Sequence, residues 1–83
     1  MKLGDPILKI INKIYDPSAM ISLTFKRYDL ALKTDDKGRG IMLFIGKKKE
    51  NGDIAGERYA RRLKEDDTGQ LLKDHWEHKG KAS

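Results

Sequence analysis

The segment Asp74-His75-Trp76-Glu77-His78 contains the residue types that most often bind a metal ion. On a helix, His75 and His78 would lie on one face, where a neighbouring carboxylate could complete a metal site. On a strand, the two imidazoles point to opposite faces and the site cannot form. The chain has only two His and no Cys, so zinc would need carboxylates from distant segments. We therefore predict no metal site and no other cofactor.

Nucleophilic catalysis has little support in the sequence. The hydroxyl side chains show no spacing that would join a nucleophile to a His and an acid. Gly38-Arg39-Gly40 is not a phosphate loop, because the Gly-Lys-Ser/Thr ending and a following helix are missing. The carboxylates are concentrated in turns, where hydrogen bonds to the local backbone explain them. These patterns predict a protein that is not an enzyme.

Positive charge is concentrated in one part of the chain. The net charge is +5, residues 47–64 alone contribute seven basic and three acidic side chains, and residues 65–83 have a net charge of −2. Asn51-Gly52 favours a hairpin turn, which would bring the two basic segments on either side of it together. The residues predicted to contact nucleic acid are Lys47, Lys48, Lys49, Arg58, Arg61, Arg62 and Lys64.

Two interpretations of this basic hairpin remain open. A ladder of cations can follow a phosphate backbone while exposed aromatic rings stack on bases, as in sheet-based proteins that bind single strands. Alternatively, the charges form a solvated face that protects an edge strand, with Glu50 and Glu57 as partners of nearby cations. The aromatic residues that could stack are Tyr28, Phe44, Tyr59 and Trp76.

Three short segments that combine Asp or Asn with Gly predict the turns of the fold. These residues tolerate positive φ or hydrogen-bond their own backbone, and Asn51-Gly52 suits the centre of a type I′ hairpin turn. The segments are residues 35–38, 50–53 and 66–69. They separate four predicted antiparallel strands, at about residues 21–34, 39–49, 53–64 and 70–76.

Hydrophobic patterns assign positions to these strands. The apolar residues of the first strand change from odd to even positions, which predicts a β-bulge near Lys26-Arg27. The run from Ile41 to Ile45 is apolar without alternation and predicts a central strand. Trp76 is expected to close an edge of the sheet. Residues 79–83 are expected to form a frayed tail.

The first part of the chain predicts one amphipathic helix over residues 6–15. Asp5 is expected to cap it and Pro6 suits its first position. Apolar residues at positions 7, 10, 11 and 14 lie on one helical face, which is expected to cover the sheet. Asp16-Pro17 ends the helix, because a residue before proline avoids the α region.

Together these features predict an α+β fold, with an N-terminal helix packed on a four-stranded antiparallel meander in a single domain of residues 1–83. The absence of Cys indicates a reducing cytoplasm, and no apolar run is long enough to cross a membrane. The sequence predicts a small non-enzymatic binding protein that contacts nucleic acid. The alternative is a protein-interaction module or a homodimer formed through the sheet, with no nucleic-acid role.

Overall fold

The computed structural model describes residues 3–82, which form one short helix followed by a five-stranded antiparallel sheet. Each strand pairs with the next along the chain, so the order in the sheet is β1-β2-β3-β4-β5. The predicted α+β class and the antiparallel sheet are confirmed. The elements are α1 (Asp5–Ile11), β1 (Met20–Phe25), β2 (Tyr28–Thr34), β3 (Gly40–Lys48), β4 (Ile54–Glu65) and β5 (Leu71–Ala82).

The predicted first strand, residues 21–34, is in fact two strands, so the sheet has five strands rather than four. Phe25 pairs with Tyr28, which leaves Lys26 and Arg27 as a tight turn. The apolar alternation changes phase there because Phe25 and Tyr28 lie opposite each other and point to the same face. The β-bulge predicted near Lys26-Arg27 is therefore wrong.

The other three strand connections share one turn geometry. In each turn, the N–H of the first residue donates to the carbonyl oxygen of the residue four positions later. The N–H of the turn glycine donates to the carbonyl oxygen of that same first residue. Gly38, Gly52 and Gly69 have φ angles of 80°, 93° and 86°. This is a three-residue hairpin loop with glycine in the left-handed region. Asn51 does not have a positive φ, so the type I′ prediction is wrong although the turn is present.

Helix α1 ends four residues earlier than the predicted 6–15, because tertiary hydrogen bonds replace its last turn. The Tyr15 N–H donates to the Gly38 carbonyl oxygen, and Ile14 forms an isolated bridge with Arg39. Gly4, not Asp5, occupies the N-cap position, and no side chain caps the helix there. Asp5 lies instead in the first turn, where its charge favours the positive end of the helix dipole.

The hydrophobic core lies between α1 and one face of the sheet, which we call the inner face. Ile7 and Ile11 of the helix pack against buried side chains of the three middle strands. β3 is the central strand, as expected, but only its alternate residues are buried beneath the helix. The sheet residues of this core are Leu30, Leu32, Leu43, Ile45 and Tyr59.

The last strand is longer than predicted. β5 runs from Leu71 to Ala82 and pairs with β4 along almost its whole length. The predicted tail at residues 79–83 is therefore wrong as far as Ala82, because Gly80 and Lys81 pair with Arg58 and Glu57. Ser83 lies outside the described residues.

Trp76 joins β5 to the helix. It packs against the core, and its Nε1–H donates to the Asn12 Oδ1 at 2.9 Å. Asn12 is the C-cap residue of α1, so this bond links the end of the helix to the edge strand. Within residues 3–82 no helix is long and apolar enough to cross a membrane.

We expect Lys26→Gly to stabilise the protein. Lys26 has a φ of 55°, and left-handed backbone costs a residue with a Cβ roughly 1–2 kcal/mol. After the extra backbone entropy of glycine is subtracted, a gain of about 0.5–1 kcal/mol remains. Urea unfolding measures the difference. Arg27→Gly is the matched control, since Arg27 has no positive φ; equal loss of stability in both variants would contradict this account.

Candidate nucleic-acid interface

The face of the sheet opposite α1, which we call the open face, has no helix over it. Residues paired directly across antiparallel strands point to the same face. The strand register therefore shows to which face of the sheet each side chain points. The three neighbours Ala31, Phe44 and Arg58 form one row across its centre. The open face comprises Met20, Ser22, Thr24, Asp29, Ala31, Lys33, Met42, Phe44, Gly46, Lys48, Ile54, Gly56, Arg58, Ala60, Arg62, Lys64, Lys73, His75 and Glu77.

A pair of glycines bends the β3–β4 hairpin over this face. Gly46 lies directly opposite Gly56. A Cβ added to Gly46 would collide with the Ala55 carbonyl oxygen, and one added to Gly56 would collide with the Ile45 carbonyl oxygen. Only glycine permits such a close approach of the two strands. Ile54, next to the hairpin tip, is 5% exposed although it belongs to the open face.

The bent hairpin encloses a hollow of about 390 Å³ on the open face. This volume lies within the ~300–1,000 Å³ typical of sites that bind small ligands. Residues of the hairpin tip line this hollow together with Met20 of β1, the far edge strand. The hairpin therefore extends across the open face towards that edge. The lining residues are Met20, Ala31, Phe44, Gly52, Asp53, Ile54, Arg58 and Lys81.

Most cations of the open face lack a carboxylate partner. Only Arg62 forms an ion pair among them, with Glu77 at 3.3 Å, as far as the described residues go. Glu57, which the second interpretation gave as a partner of nearby cations, points to the inner face and contacts His78 at 2.6 Å. The cations without an ion pair in this part of the chain are Lys33, Lys48, Arg58, Lys64 and Lys73.

The structure separates the seven residues predicted to contact nucleic acid. Lys47 points to the inner side and its Nζ donates to the Arg27 carbonyl oxygen at 2.7 Å. Lys49 is the first residue of the hairpin turn. Arg61 lies on the inner face, opposite Trp76. The register brings the other four together on the open face: Lys48, Arg58, Arg62 and Lys64.

Arg61 is part of the folded framework. Its side chain is only 7% exposed, and its Nε and Nη2 donate to the two Asp74 carboxylate oxygens at 2.6 and 2.7 Å. The guanidinium also lies 5.8 Å from the centre of the Trp76 ring, a distance at which cations attract aromatic faces. The Arg61 guanidinium lowers the pKa of Asp74 below its ordinary value.

Sequence reasoning missed two cations of this surface and did not single out Phe44 from the four candidate stacking residues. Lys33 and Lys73 belong to it only through the pairing register, since they lie far from the basic segment in sequence. Phe44 is the only one of the four proposed stacking residues on the open face within the described chain, because Tyr28, Tyr59 and Trp76 point to the inner face. Once β3 is known to be central, strand alternation from Leu43 would have identified Phe44.

The two histidines lie on opposite faces, as expected for a strand. His75 contacts Glu77 at 2.8 Å on the open face, and His78 contacts Glu57 on the inner face. Hydrogen bonds from His75 and Lys79 lower the pKa of Glu77 to about 2. No group of three or more potential metal ligands comes together in residues 3–82.

No family model matches the chain, and no curated protein or solved structure is significantly similar to it.

We expect Arg61→Ala to destabilise the fold and Arg62→Ala to have little effect. Loss of the paired bonds leaves Asp74 without its partner, at a cost of about 1–2 kcal/mol once the one-third exposure of that carboxylate is considered. Arg62, with a side chain 63% exposed, should change stability by less than about 0.5 kcal/mol. Arg61→Lys should not restore stability, because lysine lacks the planar fork. Equal urea midpoints for both alanine variants would contradict this assignment.

The low pKa of Glu77 predicts acid sensitivity. Between pH 4.5, the ordinary pKa of this carboxyl group, and about pH 2, Glu77 binds a proton in the unfolded chain but not in the folded chain. The Glu77 contribution to stability is therefore complete above pH 4.5 and disappears as pH falls towards 2. Urea unfolding of wild type and Glu77→Gln should differ most near pH 6 and converge near pH 2. A constant difference across this range would disprove the assignment.

Proposed function

We propose that the open face binds single-stranded nucleic acid without catalysing a reaction. The observation that carries the proposal is the position of Phe44, in a hollow on the uncovered face and beside Arg58. Bases stack on exposed aromatic rings while cations hold the backbone, and the combination is typical of sheet-based binding surfaces. The absence of Cys accords with a reducing cytoplasm as its compartment.

The arrangement of charge supports a phosphate backbone as the ligand. Arg58, Arg62 and Lys64 project from the same face of β4, at intervals of roughly 13 and 7 Å for a strand that rises ~3.3 Å per residue. Lys33 and Lys73 lie on other strands of the same face. Cations that are already neutralised by carboxylates would contribute little, and four of these five basic side chains are not ion-paired within the described residues, Arg62 being the exception.

The width of the sheet favours a single strand over a duplex. Five strands spaced ~4.8 Å apart form a surface ~19 Å wide, whereas the major groove of DNA is ~12 Å wide and admits a two-stranded ribbon. The part of β4–β5 beyond Ala60 is such a ribbon, because β3 no longer pairs with it. However, Asp66 and Asp67 lie in its turn, where they would repel phosphates.

A protein partner is the second candidate for this face. Met20 is 56% exposed and Met42 lies beside Phe44 on the same face. Exposed apolar side chains surrounded by charge are common at protein interfaces. The two functions differ in what they require of Phe44: stacking requires its ring, whereas apolar packing requires only its bulk.

The test is titration of a labelled oligothymidylate at two salt concentrations. We expect binding that weakens with salt, and a loss of about tenfold or more for Phe44→Leu, since stacking contributes ~1–3 kcal/mol per base. Phe44→Tyr should bind like wild type because it keeps the ring. Absence of salt-sensitive binding to any oligonucleotide would exclude the proposal, and equal affinity for Phe44→Leu and wild type would exclude a stacking role.

Individual cations are tested by the slope of affinity against salt. Arg58→Ala should reduce the slope by about 0.7, the contribution of one phosphate contact on a single strand. Lys47→Ala removes the same unit of charge from the inner side of the same hairpin and should leave the slope unchanged. If both variants change it equally, the binding depends on net charge and not on the open face.

A further inference from the structure

The two edges of the sheet differ in how they are protected against pairing. β5 has several charged residues and two register irregularities, at which Leu72 and Lys79 have no partner in β4. Charges and bulges are the usual means by which proteins prevent an edge strand from joining another sheet. β1, Met-Ile-Ser-Leu-Thr-Phe, has no charged residue, no proline and an unbroken register with β2. The β1 edge is therefore open to a further strand.

The backbone of β1 defines which groups this edge presents. The Thr34 N–H donates to the Ala19 carbonyl oxygen, so the backbone of Ala19 faces β2. Hydrogen-bonding direction alternates along an antiparallel strand. Residues 21, 23 and 25 therefore also face β2, while the N–H and C=O groups of Met20, Ser22 and Thr24 point away from the sheet.

We propose that β1 pairs antiparallel with β1 of a second copy of the chain, about a two-fold axis at Ser22. This register places Ser22 opposite Ser22, and Met20 opposite Thr24, so that all three outward-facing residues form backbone hydrogen bonds. Ile21 then lies opposite Leu23 on the inner face. A shift by one residue is not allowed, because opposed side chains would point to different faces.

The composition of β1 favours a second copy over an unrelated strand. When a strand pairs with its own copy about a two-fold axis, each residue lies opposite the same residue of the other copy, or opposite a near neighbour of that residue. Any charge in β1 would therefore lie close to the same charge in the second copy. β1 has none, although the chain has a net charge of +5. The pair Ile21–Leu23 is apolar, and the pair Ser22–Ser22 can exchange hydrogen bonds.

The dimer would have one continuous ten-stranded sheet with both helices on the same side. Five strand spacings of ~4.8 Å separate the two β3 strands, so the Phe44 rings would lie ~24 Å apart on one shared open face. The proposal does not rest on the nucleic-acid role, because it follows from the β1 edge alone.

Sedimentation velocity of the full chain over a range of concentrations tests this inference. We expect a monomer–dimer equilibrium in the wild type. Ser22→Lys places two like charges opposite each other and should weaken the dimer about tenfold or more. Leu72→Lys adds the same charge at a residue 60% exposed on the β5 edge and should leave the dimer unchanged.

Further variants separate edge pairing from other contacts. Ser22→Pro removes the outward N–H, and an edge strand tolerates proline where its N–H faces solvent; circular dichroism checks that the variant is folded, and a folded monomer supports the proposal. If Ser22→Pro does not fold, the effect of Ser22→Lys on the monomer–dimer equilibrium tests the proposal instead. A wild type that is monomeric at every concentration overturns the inference. A dimer that survives Ser22→Lys but dissociates with Met42→Lys also overturns it, because the contact would then be the open face.

Discussion

The packing of Ile7 and Ile11 of α1 against the inner face of the sheet is the contact on which the architecture depends. A helix of seven residues can cover only the middle strands of a five-stranded sheet, and only on one face. Because the chain has no second helix within the described residues, the opposite face keeps half-buried side chains such as Phe44 and Met42. The uncovered surface is thus a direct result of a one-helix core.

Strand alternation then divides the charge between the two faces. Arg61 and Arg62 are neighbours in sequence with the same chemistry, yet one is a buried structural cation bound to Asp74 and the other is mostly exposed. The same alternation separates His75 from His78 and Lys47 from Lys48. In a sheet with one covered face, a single charged segment can therefore place cations on both faces. The basic segment of residues 47–64 contributes both the Arg61–Asp74 ion pair of the framework and unpaired cations of the open face such as Arg58.

Much of the fold could be predicted, and the exceptions have physical reasons. The three Gly-containing turns follow from the local need for a positive φ. The Lys26-Arg27 turn has no such residue, because strand pairing on both sides imposes the positive φ on Lys26. Helix length was overestimated because Tyr15 bonds to Gly38, a partner that periodicity does not reveal. Of the seven cations predicted to contact nucleic acid, four lie together on the open face. The burial of Ile54 could not be predicted without knowing that Gly46 lies opposite Gly56.

The bond between Asn12 and Trp76 has a consequence for the synthesis of the chain. These residues are 64 positions apart, and ribosomes add roughly 5–20 residues per second. About 3 to 13 s therefore pass between the appearance of the helix and that of the strand that anchors it. During this interval the apolar side of α1 has no complete sheet to cover. Helix α1 is therefore made before every strand of the sheet, and its bond to β5 can form only after Trp76 has been added.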